Sequence, residues 1–482
     1  MRFAVSPFLP SSFTAWSFTA CFRTILAAVL CVFVAACGAS PRGVAPQAPV
    51  AQRPPAVVQN QGPTSTLEAA QPGRSLLAPN QLIPGIAPAV PGQVPTARPA
   101  ADPLGLVRIG LLVPLTGPSA TTGQALLNAA QMALFDIADE RFVLQVYDTK
   151  GTPDGADAAA ALAIGHGAQL LLGPLFSAEA KAIAPRAAAA GVNIITFSTD
   201  PTVAGPHVFV LGFLVQEQVR QIVGYARDQG LSRFAVLAPN TAYGQAVVEA
   251  FRRYVPARGG KIAQVAFYEP DGGNLNEVVR SLATYDHRKK LLEEQRAELA
   301  GKDDEISQAA LKRLERLETT GDVDFDTILI PEQGSRLTQA ATLLPFFDVD
   351  SGRVQLLGTL LWDSPGLGRE PVMIGGVFPA PPPESNKQFF ARYRDFYGRA
   401  APTIASHGYD AVALAAILAR SGEANAFSAD ALTSTSGFAG VDGIFRFTRD
   451  GMSQRGFAIM QVTRDSTTVA APAPTTFDAV QF

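Results

Sequence analysis

"LVRIGLLVPLTGPSATTGQALLNAAQMALFDIA", residues 106–138, contains the unit from which the chain is built. Its first eight residues are apolar except for Arg108 and Gly110 and rich in branched side chains. That is the pattern of a strand covered on both faces of a parallel sheet. Gly117, Pro118 and Ser119 interrupt it, as turn chemistry requires. Beyond the turn, Leu126, Leu127, Ala130, Leu134 and Ile137 recur at helical spacing. A strand, a polar turn and a helix of this length make half of a βαβ unit.

The unit recurs along the chain. "FVLQVYDT" (142–149), "QLLLGPL" (169–175), "VNIITFS" (192–198) and "HVFVLGF" (207–213) read as strands, with helices at Pro153–His166 and Ala178–Ala190 between them. A second series starts near Val215. It has helices at Glu217–Gln229, Tyr243–Arg258 and Arg336–Phe347, and strands "RFAVLAP" (233–239), "KIAQVAFY" (261–268), "FDTILIPE" (325–332) and "VQLLGT" (354–359). Ile374–Ala380 through Ala419 returns to the same alternation, and "GVDGIFRFTRDGMSQRGFAIMQV" (440–462) reads as a closing hairpin turned at Asp450-Gly451. The segment from Thr467 reads as a frayed end.

The second series carries an insertion, "HRKKLLEEQRAELAGKDDEISQAALKRLERLE" (287–318). From Arg288 to Glu318 it holds eight basic and eight acidic residues, and Leu292, Leu299 and Ile306 recur every seven positions, followed by Leu314 and Leu317. Gly301 and Asp303 offer a C-cap and an N-cap. The spacing predicts two antiparallel helices with a narrow apolar seam and charged outer faces. Such a hairpin either stabilises its own lobe or presents a surface to a partner.

The N-terminal part differs in kind. Thr24–Ala36 is an apolar run behind Arg23 that ends in "VFVAACGAS" (32–40). It is short of the ~20 residues that span a bilayer and suits the core of a secretory signal. Residues 38–105 are rich in Pro, Ala, Gln and Val, with 14 of the 37 prolines and no aromatic residue. Such a composition does not offset the entropy of ordering, so this segment is expected to be an extended tether reaching on the order of 200 Å. The chain of 482 residues has a net charge of −3 and no basic patch interleaved with aromatics, so a nucleic-acid partner is not expected. Its three cysteines, Cys21, Cys31 and Cys37, all precede the expected fold and leave no disulfide framework for it.

Taken together, "IGLLVPLTGPSATTGQALLNAAQMAL" (109–134), "YDTKGTPDGADAAAALAIGHGAQLLLGPLFS" (147–177), "AYGQAVVEAF" (242–251) and "GVDGIFRFTRDG" (440–451) resemble the type I periplasmic-binding fold, in its leucine/isoleucine/valine-binding branch. "LLGPLFSAEAKAIAPRAAAAGVNIITFS" (171–198) is similar to the penicillin-binding protein activator lipoproteins. The activators known best carry a helical-repeat domain before this fold; here the proline-rich segment takes that place. The resemblance implies an α/β protein of two Rossmann-like lobes joined by three crossovers, with the helical insertion 285–320 in lobe 2. Lobe 1 is expected at 106–212 plus 357–440, lobe 2 at 213–356 plus 441–465, and a C-terminal tail at 466–482. Residues 1–36 would be a lipoprotein signal and 37–105 the lipidated cysteine and tether. Val-Ala-Ala-Cys fits lipidation at Cys37, against the alternative of an ordinary signal with a chance cysteine. Gly38, not aspartate, after it fits sorting to the outer membrane.

Ligands of this fold sit in the cleft at the C-terminal ends of the strands. The matching loops offer Gly173, Phe176 and Ser177 in "GPLFS", Ser198, Thr199 and Asp200 in "FSTDP", Tyr243 in "AYGQ", and Glu332 with Gln333. Helix capping is the structural alternative for Ser177. Catalysis, metal and cofactor are not expected. The four histidines are scattered, G-x-S-x-G, H-E-x-x-H and Walker A motifs are absent, and "DVDFDT" (322–327) fails as a calcium loop because Thr327 and Gln333 occupy its glycine and glutamate positions. Two functions compete. One is an outer-membrane lipoprotein in the periplasm that activates a penicillin-binding protein (a peptidoglycan synthase) by contact. The other is the substrate-binding lipoprotein of an ABC importer for branched-chain amino acids or related small molecules.

Overall fold

A computed structural model describes residues 105–423 and 425–477. The expected signal, Cys37 and the tether up to residue 104 lie outside the described residues. The first sheet is parallel in the order β2-β1-β3-β4-β5. Its strands are β1 (Val107–Val113), β2 (Phe142–Asp148), β3 (Leu170–Leu172), β4 (Asn193–Thr196) and β5 (Val208–Val210), linked by α1 (Ala120–Ile137), α2 (Pro153–Gly165) and α3 (Ser177–Ala189). After α4 (Val215–Asp228) the second sheet begins with β6 (Arg233–Pro239), α5 (Ala242–Ala257) and β7 (Lys261–Tyr268). α6 (Leu275–Leu282) packs into the lobe 2 core, and the insertion follows as α7 (Tyr285–Ala300) and α8 (Glu305–Leu314). Then come β8 (Thr327–Leu329), α9 (Gly334–Phe346), β9 (Gln355–Leu357) and β10 (Val377–Ala380).

The chain crosses back with α10 (Pro383–Tyr397), α11 (Ala405–Arg420), the one-turn α12 (Ala429–Leu432), and a small antiparallel sheet of β11 (Phe438–Gly440), β12 (Gly443–Phe447) and β13 (Ser453–Arg455). It returns finally to the second sheet as β14 (Ala458–Val462) and β15 (Thr467–Ala471), giving the order β15-β14-β10-β9-β8-β6-β7.

These partners move two of the expected lobe limits. β10 pairs in parallel with β9 and antiparallel with β14, so the second crossover falls at 381–382 and not at 356/357. The excursion between β9 and β10 stays on lobe 2 because Trp362 and Met373 are buried in its core, the indole Nε1 donating to the Ile330 carbonyl at 3.0 Å. Phe445 and Phe447 pack into the lobe 1 core beside Phe209, so 441–455 belongs to lobe 1 and the third crossover falls at Gly456–Phe457, not at 440/441. The hairpin turned at Asp450-Gly451 is β12–β13, and β14 leaves it for the other sheet. Thr467–Ala471 is an edge strand rather than a frayed tail, and Phe477 beyond it is buried.

The hairpin α7–α8 forms with a different phase from the one expected. Asp304, not Asp303, caps α8, its carboxylate accepting from the Ser307 amide (2.9 Å) and hydroxyl (2.6 Å). That register half-buries Ala310, Leu311 and Leu314 and buries Ser307, leaving Ile306 83% exposed at the tip. Its foot is fixed by Arg288, 3% exposed, which donates to the carbonyls of Ala283 (2.8 Å), Phe347 (2.8 Å) and Asp348 (3.1 Å) and to Thr319 (2.9 Å). Of the "DVDFDT" acids, Asp326 is structural, while Asp322 and Asp324 are exposed. Asp326 accepts from the amides of Ser232 and Arg233, and Asp322 pairs with Arg353 at 2.9 Å.

In each lobe the helix that follows the first strand folds directly over the end of that strand. A Cβ on Gly123 of α1 would lie 1.8 Å from the Pro114 carbonyl oxygen, and one on Gly244 of α5 would lie 2.0 Å from that of Pro239. Alanine normally favours a helix over glycine by about 0.8–1.0 kcal/mol. Gly123→Ala is expected to reverse that sign and cost about 1–3 kcal/mol through overpacking, read as a lower denaturant midpoint. A higher midpoint contradicts this packing.

Candidate functional site

Both sheets present the loops at the C-terminal ends of their parallel strands, and there the expected residues fall into one group per lobe. On lobe 1, the loops after β3 and β4 are stitched together. The Gly173 amide donates to the Ile195 carbonyl (2.8 Å), and the Thr196 hydroxyl and Phe197 amide donate to the Pro174 carbonyl at 2.8 and 3.0 Å. Gly173 has φ +91°, and a Cβ there would lie 2.1 Å from the Leu112 carbonyl oxygen, so the loop needs a residue without one. The Phe176 amide donates to Glu179 at 3.0 Å, and its ring is 39% exposed. Ser177 opens α3. Ser198 is buried and its hydroxyl accepts from the Asp200 amide at 3.0 Å, while Thr199 is exposed.

Asp200 is already engaged. It accepts from the Thr202 amide (2.9 Å) and hydroxyl (2.7 Å) and lies 3.6 Å from Lys181. Burial pushes its carboxyl up, but the bonds from Thr202, the charge of Lys181 and the Ser177 hydroxyl outweigh it and hold the group below the usual aspartate range.

On lobe 2 the mating is again internal. The half-buried Tyr243 turns its hydroxyl onto Thr359 (2.9 Å), after β9, and burial pushes that hydroxyl up to about 12. Glu332 accepts from the Tyr268 hydroxyl at 2.5 Å and from the Gln333 amide at 3.0 Å. Burial and the Glu332 carboxylate both push Tyr268 upward. Gln333 is exposed, and Arg336 on the next turn is spent on the Asp271 carbonyl and on Gln339.

Three members of the rims were not legible in the sequence: Lys181, Thr359 and Asp148. Lys181 stands four residues after Ser177 in α3, and that spacing was the available signal. Asp148, at the end of β2, accepts from the amides of Leu115 (2.8 Å) and Lys150 (2.8 Å) and from the Thr116 hydroxyl (2.6 Å), which fixes the loop after β1.

What remains open is backbone. Unlike α2 and α5, which Thr152 and Thr241 cap, and α3, where the Glu179 carboxylate accepts from the Phe176 amide, helices α1 and α9 begin without a side-chain oxygen on their first amides. Those amides suit a small anionic or polar group. Nothing in these loops pairs a nucleophile with a base. Ser406, His407 and Asp442 do meet, but all are buried, and the Ser406 hydroxyl donates directly to Asp442 at 2.6 Å, so it is not wired through the imidazole. Among the described residues no three His, Cys, Asp or Glu are placed to hold a metal, and no helix is long and apolar enough to cross a membrane.

Two sheets with parallel cores, the second closed by two antiparallel strands, are joined by three crossovers, and their loops converge at the strand ends; this defines a two-lobed binding-protein fold. The chain belongs to the periplasmic binding protein family, whose model matches residues 106–467. Its relatives include a Leu/Ile/Val-binding protein, BraC3, of Rhizobium johnstonii, 28% identical over a 171-position alignment that covers 32% of this chain and 45% of that protein. The chain spans about half the length of the curated relatives it matches. Among solved structures, an ABC transporter substrate-binding protein of Desulfitobacterium hafniense superposes with a TM-score of 0.53 at 21% identity, over 75% of this chain and 99% of that one. The LpoA (YraM) C-domain of Haemophilus influenzae, described as a regulator of PBP1A, does so at 0.55 and 15% identity, over 76% and 100%. At these identities the likeness is one of fold. Matches of this kind are binding proteins or regulators.

Asp148 yields a test of the cleft lip. Its bonds to Thr116, Lys150 and Leu115 outweigh burial and lower its carboxyl below the usual range. Its contribution is therefore present above the ordinary aspartate pKa and lost as pH falls through the lowered value. Asp148→Ala is expected to cost about 1 kcal/mol at neutral pH and to speed hydrogen exchange at the Leu115, Thr116 and Lys150 amides. Unchanged exchange contradicts the assigned role.

Proposed function

We propose that this chain is a lipid-anchored periplasmic protein that stimulates a peptidoglycan synthase of the penicillin-binding class by direct contact through lobe 2. The observation that carries the reading is the α7–α8 hairpin. It is rooted by the buried Arg288, exposed along most of its length, and stands over a hollow of about 610 Å³ lined by Tyr285, Pro345, Phe346, Phe347, Arg280 and Glu318. Phe346 is 67% exposed there. An aromatic hollow beside a charged projection is the anatomy of a protein docking site. The fold likeness to a domain described as a PBP1A regulator agrees with it. The Val-Ala-Ala-Cys sequence ending at Cys37 supports the anchor, and Gly38 supports its outer-membrane address.

The importer reading keeps two supports: the BraC3 relationship and the uncapped first turns of α1 and α9, one on each lobe. Against it, the rim carboxylates and the cations beside them are already paired within their own lobes. An arriving amino acid would have to displace those bonds, which removes much of the gain from binding it.

Replacing 288–318 by glycines leaves β7 and β8 intact in sequence and removes the projection. Purified with a candidate synthase, this variant is expected to lose stimulation of glycan-strand synthesis, while Cys37→Ala stimulates normally in solution and fails in cells through loss of membrane attachment. A hairpin-deleted chain that stimulates like wild type overturns the docking surface. If the wild type stimulates no synthase, the activator reading fails.

A further inference from the structure

The α7–α8 hairpin does not cover its own seam. Among the described residues, α7 is the element against which α8 packs appreciably. Leu292 is buried near the foot, but Leu299, Leu311 and Leu314 are only half-buried, and Ile306 stands 83% exposed at the tip. Two helices with no third element over their seam leave to water the apolar face whose packing normally stabilises a helix. The other exposed apolar surface of the hairpin lies at its foot. There Tyr285, Phe346 and Phe347 line the hollow, with Arg280 and Glu318 at its edge and Phe346 67% exposed.

Charge divides the hairpin at the same two places. Residues 298–305, around the tip, carry four acids and one base, whereas the foot segments 285–292 and 312–318 carry six bases and three acids. Of the tip acids, Asp304 is spent as the cap of α8 and Glu298 pairs with Lys302 at 2.8 Å, while Asp303 and Glu305 are exposed. At the foot Arg288 is buried, and Lys289, Lys290, Lys312 and Arg313 are exposed. From Tyr285, in the wall of the hollow, α7 runs 16 residues to the tip, about 24 Å. A second hairpin laid antiparallel on the first brings its acidic tip to the basic foot and its Ile306 to the aromatic hollow, and the exchange is repeated at the other end. Laid parallel, it sets acid against acid and base against base, which is unfavourable. We propose that the hollow receives the hairpin tip of a second copy of this chain, in a two-fold dimer of antiparallel hairpins.

The size of the contact sets its strength. Two helices, each about 10 Å across and about 24 Å long, give a face of roughly 500 Å², so the pairing buries roughly 1,000 Å² in all. That lies at the lower limit of specific interfaces. The dimer is therefore weak, with a micromolar dissociation constant, and salt loosens it because its charges are exposed. The pairing uses the surface proposed above for a synthase, so the two contacts exclude each other. It does not rest on that reading: its test needs no synthase, and its failure leaves the synthase contact untouched.

The test is sedimentation velocity of the full-length chain with Cys37→Ala, under reducing conditions, so that neither a lipid nor a disulfide drives association. Concentrations from about 1 to about 100 μM bracket a micromolar constant, and a monomer–dimer equilibrium is expected across them. Ile306→Glu is expected to weaken the dimer about tenfold or more. The tip reversal, Asp303→Lys with Glu305→Lys, and the foot reversal, Lys289→Glu with Lys290→Glu, are each expected to do the same. All four reversed residues are exposed and the Asp304 cap is kept, so both chains fold, which circular dichroism verifies. Mixed together, the two reversed chains are expected to regain the wild-type affinity, because every tip then meets a foot of opposite charge. A wild-type chain that stays monomeric overturns the proposal. Association that survives both reversals places the contact elsewhere and also overturns it, as does a mixture that fails to recover.

Discussion

The relation between the lobes rests on one buried guanidinium. Arg455 bonds the first connection at Leu211, sits against Phe213, and ends the strand that runs into the third connection. Asn386 brings the start of α10, just past the second connection, to the same cluster through Asp442. Since each lobe folds its helices over the ends of its own strands, as the contacts of Gly123 and Gly244 require, the orientation set at the hinge also sets where the rim loops lie.

The rims that result are polar yet largely satisfied. Asp200 caps the turn at Thr202 and faces Lys181; Glu332 takes the Tyr268 hydroxyl; Tyr243 is turned onto Thr359. A receptor for a zwitterion needs one free cation-binding and one free anion-binding group, because a buried charge without a partner is strongly unfavourable. Among the described residues of these rims, the backbone amides at the first turns of α1 and α9 are left over. The hollow lined by Tyr285, Phe346 and Phe347 lies elsewhere, at the foot of the α7–α8 hairpin.

Most of the strand and helix order was legible, because parallel strands buried on both faces are apolar runs and the intervening helices keep their period. Which sheet a strand joins was not. "VFPA" (377–380) looks the same whichever lobe it enters. Its place is decided by Trp362 and Met373, buried in the lobe 2 core, and Pro379 is tolerated because pairing with β9 has ended at Val377. The candidate residues were found as loops and grouped correctly by lobe, but their hydrogen bonds depend on partners such as Thr359 and Tyr268 that are distant in sequence. The hinge cluster was missed, although Ser406, His407 and Asp410 stand in "ASHGYDAVALAAILA" as polar residues within an apolar helix. Polar side chains on a buried face need partners, and that was the readable sign. Ile306 illustrates the opposite error: a seven-residue spacing placed it in the seam, but the cap at Asp304 set another phase.

The central claim is that the cleft is a scaffold and contact through lobe 2 is the activity. Isothermal titration of the purified full-length protein with a panel that includes leucine, isoleucine and valine tests it most directly. The account predicts no binding tighter than roughly 10 μM, about −7 kcal/mol. A submicromolar dissociation constant for any of these amino acids would contradict it and establish the cleft as a receptor site.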